Sequence, residues 1–239
     1  MNLRNYSSSE SESDEIYEME NSDPKYEDIL ENIVIRLTRA LVPEDYGNPE
    51  YWEERYESNS NAEYEWFQSW ENIYPFISKF IHPGGIALNI GCGNSPMSYQ
   101  MSNLFKSVVS IDISKSLIEQ MKIRYQDENL KWKVMDCTKM DFPNNSFEYI
   151  FEKGTIDALY CSESSSNVLK VLGEIARILK PEGYFISISF GSPETRSFLS
   201  NNYKTLIFLQ HILIPSPKNQ SVNHHIYIYQ QSKFSFQYF

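Results

Sequence analysis

Three cysteines in 239 residues, Cys92, Cys137 and Cys161, make no C-x-x-C pair and no even framework, which argues against both a disulfide scaffold and a zinc cluster. The four histidines, His82, His211, His224 and His225, show no metal-ligand spacing, and His224 and His225 read as parts of a strand. There is no run of about 18 apolar residues to span a bilayer, and the N-terminus lacks the apolar stretch of a signal peptide. Basic residues are scarce as well: 21 Lys and Arg stand against 32 Asp and Glu, for a formal net charge of −11. Without clustered Lys and Arg to neutralise phosphates, direct nucleic-acid binding is not expected. The absences together predict a cytoplasmic chain with no membrane segment and no metal.

The acidity is uneven. Glu10, Glu12, Asp14, Glu15, Glu18, Glu20 and Asp23 face only Arg4 within residues 1–24, so more than half of the net charge belongs to that segment. Its Ser/Glu-rich composition offers too few apolar groups to offset ordering entropy, and a disordered acidic tail is expected there. Ser7, Ser9 and Ser11, followed by acids, are candidate sites for an acid-directed kinase. Asp23-Pro24 reads as a helix start, with Ile29, Leu30, Ile33, Val34, Leu37 and Leu41 at helical spacing until Pro43.

From Leu88 onward strand and helix patterns alternate, which predicts an α/β domain with a parallel sheet and helices on both faces. Strands are expected over Ile86 to Ile90, Ser107 to Ile113, Leu130 to Asp136, Phe147 to Glu152 and Tyr184 to Phe190. Helices are expected over Pro96 to Leu104, Ser116 to Gln126 and Asn167 to Leu179, the last ended by Lys180-Pro181-Glu182-Gly183. Thr205 to Ile214 and Val222 to Gln231, joined by a turn-rich segment, read as an antiparallel hairpin completing a seven-stranded sheet.

The first strand runs into Gly91-Cys92-Gly93-Asn94-Ser95. Glycines at a strand-to-helix turn let the chain bend sharply and let a ligand approach the main chain. By itself the pair is equally an ordinary turn. Asp112, 19 residues after Gly93 at the end of the second strand, is where a Rossmann-type fold presents an acid to a ribose diol. The dinucleotide fingerprint wants a third glycine, but Pro96 stands in that slot, and no Lys-Ser or Lys-Thr follows as in a P-loop. A ligand with a ribose and no pyrophosphate fits best, and S-adenosylmethionine is the common one; NAD is the poorer alternative.

Further motifs narrow this. Asn48-Pro49-Glu50-Tyr51-Trp52-Glu53-Glu54-Arg55-Tyr56, Tyr64-Glu65-Trp66-Phe67, Asp141-Phe142-Pro143 and Phe151-Glu152-Lys153-Gly154-Thr155-Ile156-Asp157-Ala158-Leu159, with the glycine turn, resemble the methyltransferase-like family that contains the lysine methyltransferases of translation elongation factor 1A. The resemblance covers roughly Tyr46 to Gln231 and is nearest to the short, single-domain branch. It implies a Rossmann-like class I methyltransferase of one domain, 25–239, with a helical, cofactor-covering part over 25–82 and a core over 83–239. It implies that Trp52, Tyr56 and Trp66 close over S-adenosylmethionine, with Gly91 and Gly93 against it. Asp112 and Ile113 contact ribose and adenine, Asp136 and Cys137 the adenine edge, and Lys153 lies near the methionine end.

The same resemblance makes a protein lysine the expected methyl acceptor, on elongation factor 1A, a basic partner that the acidic chain would steer. A protein N-terminal amine, a small molecule, or a non-catalytic cofactor scaffold are the alternatives. Glu152, at the end of the fourth strand, is the candidate for orienting the amine, and Trp66 and Tyr160 are candidate walls of its channel.

Overall fold

The computed structural model describes residues 45–58, 63–161, 166–196 and 205–233. The acidic segment and the helix expected before Pro43 lie outside the described residues. Seven strands form one sheet in the order β3-β2-β1-β4-β5-β7-β6: β1 Ile86–Ile90, β2 Ser107–Asp112, β3 Leu130–Val134, β4 Phe147–Lys153, β5 Leu179–Ser189, β6 Leu206–Pro215 and β7 Asn223–Gln231. The first five pair in parallel, and β7 and β6 close one edge in antiparallel register.

Helices are α1 Pro49–Ser58, α2 Trp70–Ile77, α3 Met97–Ser102, α4 Lys115–Arg124, α5 Thr155–Tyr160, α6 Ser166–Ile178 and α7 Pro193–Arg196. Strand side chains alternate between faces, so the central strands need two apolar layers. Ala87, Val108 and Phe151 pack with Ile73 and Ile77 of α2, Met97 and Met101 of α3, and Leu117, Ile118 and Met121 of α4. Leu88, Ile90, Ile111 and Ile150 point the other way, onto Val168, Val171, Leu172, Ile175 and Ile178 of α6.

Differences from the sequence reading are local. β2 ends at Asp112 and β3 at Val134, before the exposed ends expected at Ile113 and Asp136. α4 starts at Lys115 because the Ser114 side chain caps it, accepting from Leu117 N at 3.1 Å. β5 starts at Leu179, which already pairs with Phe147; residues 180–183 then bulge out opposite Glu148, Glu182 taking a φ of 64°. The turn expected at Lys180 to Gly183 is therefore real but lies inside a strand pair.

Candidate active site

The sheet order reverses between β1 and β4, and in open α/β sheets ligands gather outside the carboxyl ends of strands at such a point. Gly91 and Gly93 leave β1 there with φ of 59° and 53°, values that favour glycine. Gly93 N donates to Asp112 Oδ2 at 3.0 Å, and Ser114 N donates to Asp112 Oδ1 at 3.1 Å. The Asp112 carboxylate is thus fixed in plane at the end of β2, and burial raises its pKa to about 6. Ile113, next along, is an exposed apolar side chain. A Cβ on Gly93 would stand 3.2 Å from the Tyr56 hydroxyl, so the bare glycine keeps open a narrow space between the turn and α1.

The aromatic motifs converge over this turn. Trp52 stacks on Tyr56 with ring centroids 5.9 Å apart and meets Trp66 edge-on at 6.1 Å. Arg55 places its guanidinium 5.6 Å from the Tyr64 and Trp66 ring centres. α1 is tied to α4 by Gln120 Nε2, which donates to Tyr56 O at 2.9 Å, and by Ser116 N, which donates to Glu53 Oε1 at 3.1 Å. Phe67, with a φ of 59°, stacks on Phe190 at 6.3 Å; Phe190 lies just past β5 and is 58% exposed.

Glu152 ends up inside the wall. It is fully buried, accepting at Oε2 from Thr155 N and Ile156 N, both at 3.1 Å, and at Oε1 from the Ser187 hydroxyl. Its carboxylate anchors the start of α5 and has no exposed surface with which to orient an amine, the role expected of it from the sequence. Tyr160 has the Arg196 guanidinium 4.3 Å from its ring centre, and Arg196 also pairs with Asp157, so the expected channel wall is covered on that face. Asp136 is exposed, its Oδ1 engaged by Thr138 N and Oγ1 at 2.8 Å each. Cys137 is partly buried beside it, and burial pushes its thiol up to about 12, which keeps it protonated.

The Lys153 side chain is only 6% exposed and donates to Trp66 O at 2.8 Å while pairing with Glu65. The partner of Lys153, Glu65, stands in the Tyr64-Glu65-Trp66-Phe67 motif, where the sequence shows no role for it. Burial lowers the Lys153 pKa, and it raises Glu152 to about 7, with the Asp157 charge adding to the rise.

Burial of Glu152 makes stability depend on pH. Its folded pKa lies above its ordinary 4.5, so the folded state holds the proton more tightly, and stability falls as pH rises from about 4.5 to about 7. Relative to Glu152→Gln, the unsubstituted protein should lose on the order of 2–3 kcal/mol over that window. Urea unfolding of both proteins at pH 5 and pH 8 measures it; a pH-independent difference would show that Glu152 does not titrate there.

Three comparisons bear on these features. Residues 88–187 match the family model described as a methyltransferase domain. The chain is 35% identical over 176 residues to EEF1A lysine methyltransferase 4 of Bos taurus, covering 66% of this chain and 69% of that protein. Against EEF1A lysine methyltransferase 4 of Mus musculus it is 34% identical over 163 residues and spans 64% of that relative's length. Among solved structures, N-methyltransferase NodS from Bradyrhizobium japonicum WM9 in complex with S-adenosyl-l-homocysteine superposes with a TM-score of 0.59 at 12% identity, covering 75% of this chain and 98% of that one. At that identity the likeness concerns the fold alone.

Proposed function

This chain belongs to the class I S-adenosylmethionine-dependent methyltransferases related to EEF1A lysine methyltransferase 4, and from that premise we propose that it methylates a lysine side chain of translation elongation factor 1A in the cytoplasm. The observation that carries the substrate is the 35% identity to the cattle enzyme. When bound, the cofactor supplies an electrophilic methyl group on a sulfonium.

The residues present fit that group. Asp112 offers carboxylate oxygens for a ribose diol, Ile113 an exposed apolar face for adenine, and Asp136 and Cys137 line the next strand end. Trp52, Tyr56 and Trp66 form the aromatic cover, and Lys153 supplies a cation beside the glycine turn. No covalent enzyme intermediate is needed; the protein aligns the partners and excludes water.

A lysine must shed its proton before it can attack. From a pKa of about 10.4 to a pH of about 7.4 the cost is roughly 4 kcal/mol. Removing an entering lysine from water disfavours its ammonium form, and a sulfonium beside it works in the same direction. Phe67 and Phe190 serve as walls for its alkyl chain, since Phe190 is exposed at the end of β5 and stacks on Phe67. The net charge of −11 favours encounter with a basic protein.

Labelled S-adenosylmethionine and elongation factor 1A, incubated with the full chain, should give label on a lysine. Intact cofactor binding without transfer overturns the substrate, and label on an α-amine moves the reading to N-terminal methylation.

A further inference from the structure

We propose that His224 binds the methyl acceptor: held as the neutral Nε2–H tautomer, it donates to a main-chain carbonyl of the protein segment that carries the target lysine. This role rests on the lysine reading above. β7 runs antiparallel to β5 with His225 opposite Ser189, so His224, one residue earlier, lies beside Phe190 at the carboxyl edge of the parallel strands. Ile226 and Ile228, on the same face of β7, join the core layer of Tyr56 and Cys92, which turns His224 toward the aromatic cover. Its ring centre is 5.1 Å from that of Phe67 and 6.3 Å from that of Phe190. A Cβ on Gly154 would stand 3.1 Å from Phe67, so the three rings gather at the turn that follows β4.

Gln68 sets the tautomer. Its amide oxygen accepts from Asn72 Nδ2 at 3.2 Å, and its Nε2 donates to Pro215 O at 2.8 Å, a carbonyl that can only accept. The same Nε2 lies 3.1 Å from His224 Nδ1, so Nδ1 accepts the second amide hydrogen and the ring proton sits on Nε2. The residue is buried, and burial lowers its pKa, with Asp157 opposing the shift and Lys153 and Lys218 adding to it. With its one lone pair held by Gln68, the ring cannot take the proton of an entering ammonium; it can only donate. The lysine amine offers it nothing suitable, because the ammonium only donates and the neutral amine needs its lone pair for the methyl group. Main-chain carbonyls are the acceptors that every lysine-bearing segment brings. Among the described residues none accepts from Nε2, so an acceptor without such a carbonyl would cover this donor unpaired and bind about tenfold more weakly.

Steady-state kinetics of the full chain on elongation factor 1A test the donated bond. His224→Phe keeps a ring and removes the N–H; it should raise KM for the protein about tenfold, with kcat and S-adenosylhomocysteine affinity each within about threefold. His224→Gln, whose amide still donates, should recover part of the loss. An unchanged KM overturns the proposal, and so does an equal weakening of cofactor and protein substrate, which would make His224 a packing residue only. Long-range ¹H–¹⁵N spectra of the unsubstituted chain read the ring itself and need no variant to fold. His224 should carry its proton on Nε2 and gain no second one at its ordinary pKa of 6.5. A proton on Nδ1, or ordinary titration at 6.5, overturns the proposal. Absence of transfer by the unsubstituted chain would instead overturn the elongation factor reading, and the ring spectra then decide the state of His224 independently of any substrate.

Discussion

Gly91→Ala is expected to destabilise the protein by about 3 kcal/mol or more and to abolish cofactor binding. Two effects add. The φ of 59° strains any residue with a Cβ, at about 1–2 kcal/mol. The new Cβ would also stand 2.1 Å from Thr155 Oγ1 and 2.9 Å from its Cγ2. Thr155 cannot simply rotate away: its hydroxyl donates to Ile90 O at 3.0 Å and its amide to Glu152. Relief therefore means shifting the start of α5, which breaks the bonds that hold the buried Glu152 carboxylate. Urea unfolding measures the stability and calorimetry with S-adenosylhomocysteine the binding. Thr155→Ala in the Gly91→Ala background should restore about 1 kcal/mol by removing the crowding, leaving the backbone strain. A single variant within about 0.5 kcal/mol of the unsubstituted protein, the range of a neutral surface change, would show that the turn has room for a side chain.

Asp112→Ala is expected to weaken S-adenosylhomocysteine by at least a hundredfold and to extinguish methyl transfer. Each oxygen of this carboxylate already accepts one backbone N–H, from Gly93 or Ser114, which leaves capacity for two further donors. Two charge-assisted hydrogen bonds to a ribose diol, at about 1.5–3 kcal/mol each, amount to about 10² to 10⁴ in affinity. Removal also frees Gly93 N, so the turn that borders the ligand loses its anchor. Asp112→Asn keeps the shape but turns an amide NH₂ toward one of these donors, and a loss nearly as large is expected. Binding by Asp112→Ala within about threefold, equivalent to less than about 0.7 kcal/mol, would remove Asp112 from the site.

The legible parts of this protein are those encoded over short stretches. The apolar runs of β1, β2 and β4, the helical stripe of α6 and the hairpin partners β6 and β7 follow from period and turn residues alone. The glycine turn and Asp112 were readable as a pair because the distance along the chain from strand end to strand end is nearly constant in this fold. The short helix α5 is not legible in the sequence, since six residues carry little period and its start is fixed by Glu152 from β4. The bulge in β5 shows in the sequence only as a turn, because its pairing partner, Glu148, lies 32 residues earlier, where Lys180 reaches its carboxylate.

The sequence by itself determined the sheet, the family and the cofactor, all of which rest on local patterns and motif spacing. Only the tertiary structure decided what each carboxylate does. Glu152, expected to face an amine, is sealed beneath α5 by Ser187 of the neighbouring strand. Glu65, one letter in an aromatic motif, meets Lys153 from 88 residues away and Ser95 from 30. A carboxylate's role depends on which donors surround it and how much water is removed, and both are set by segments distant in the chain that folding brings together.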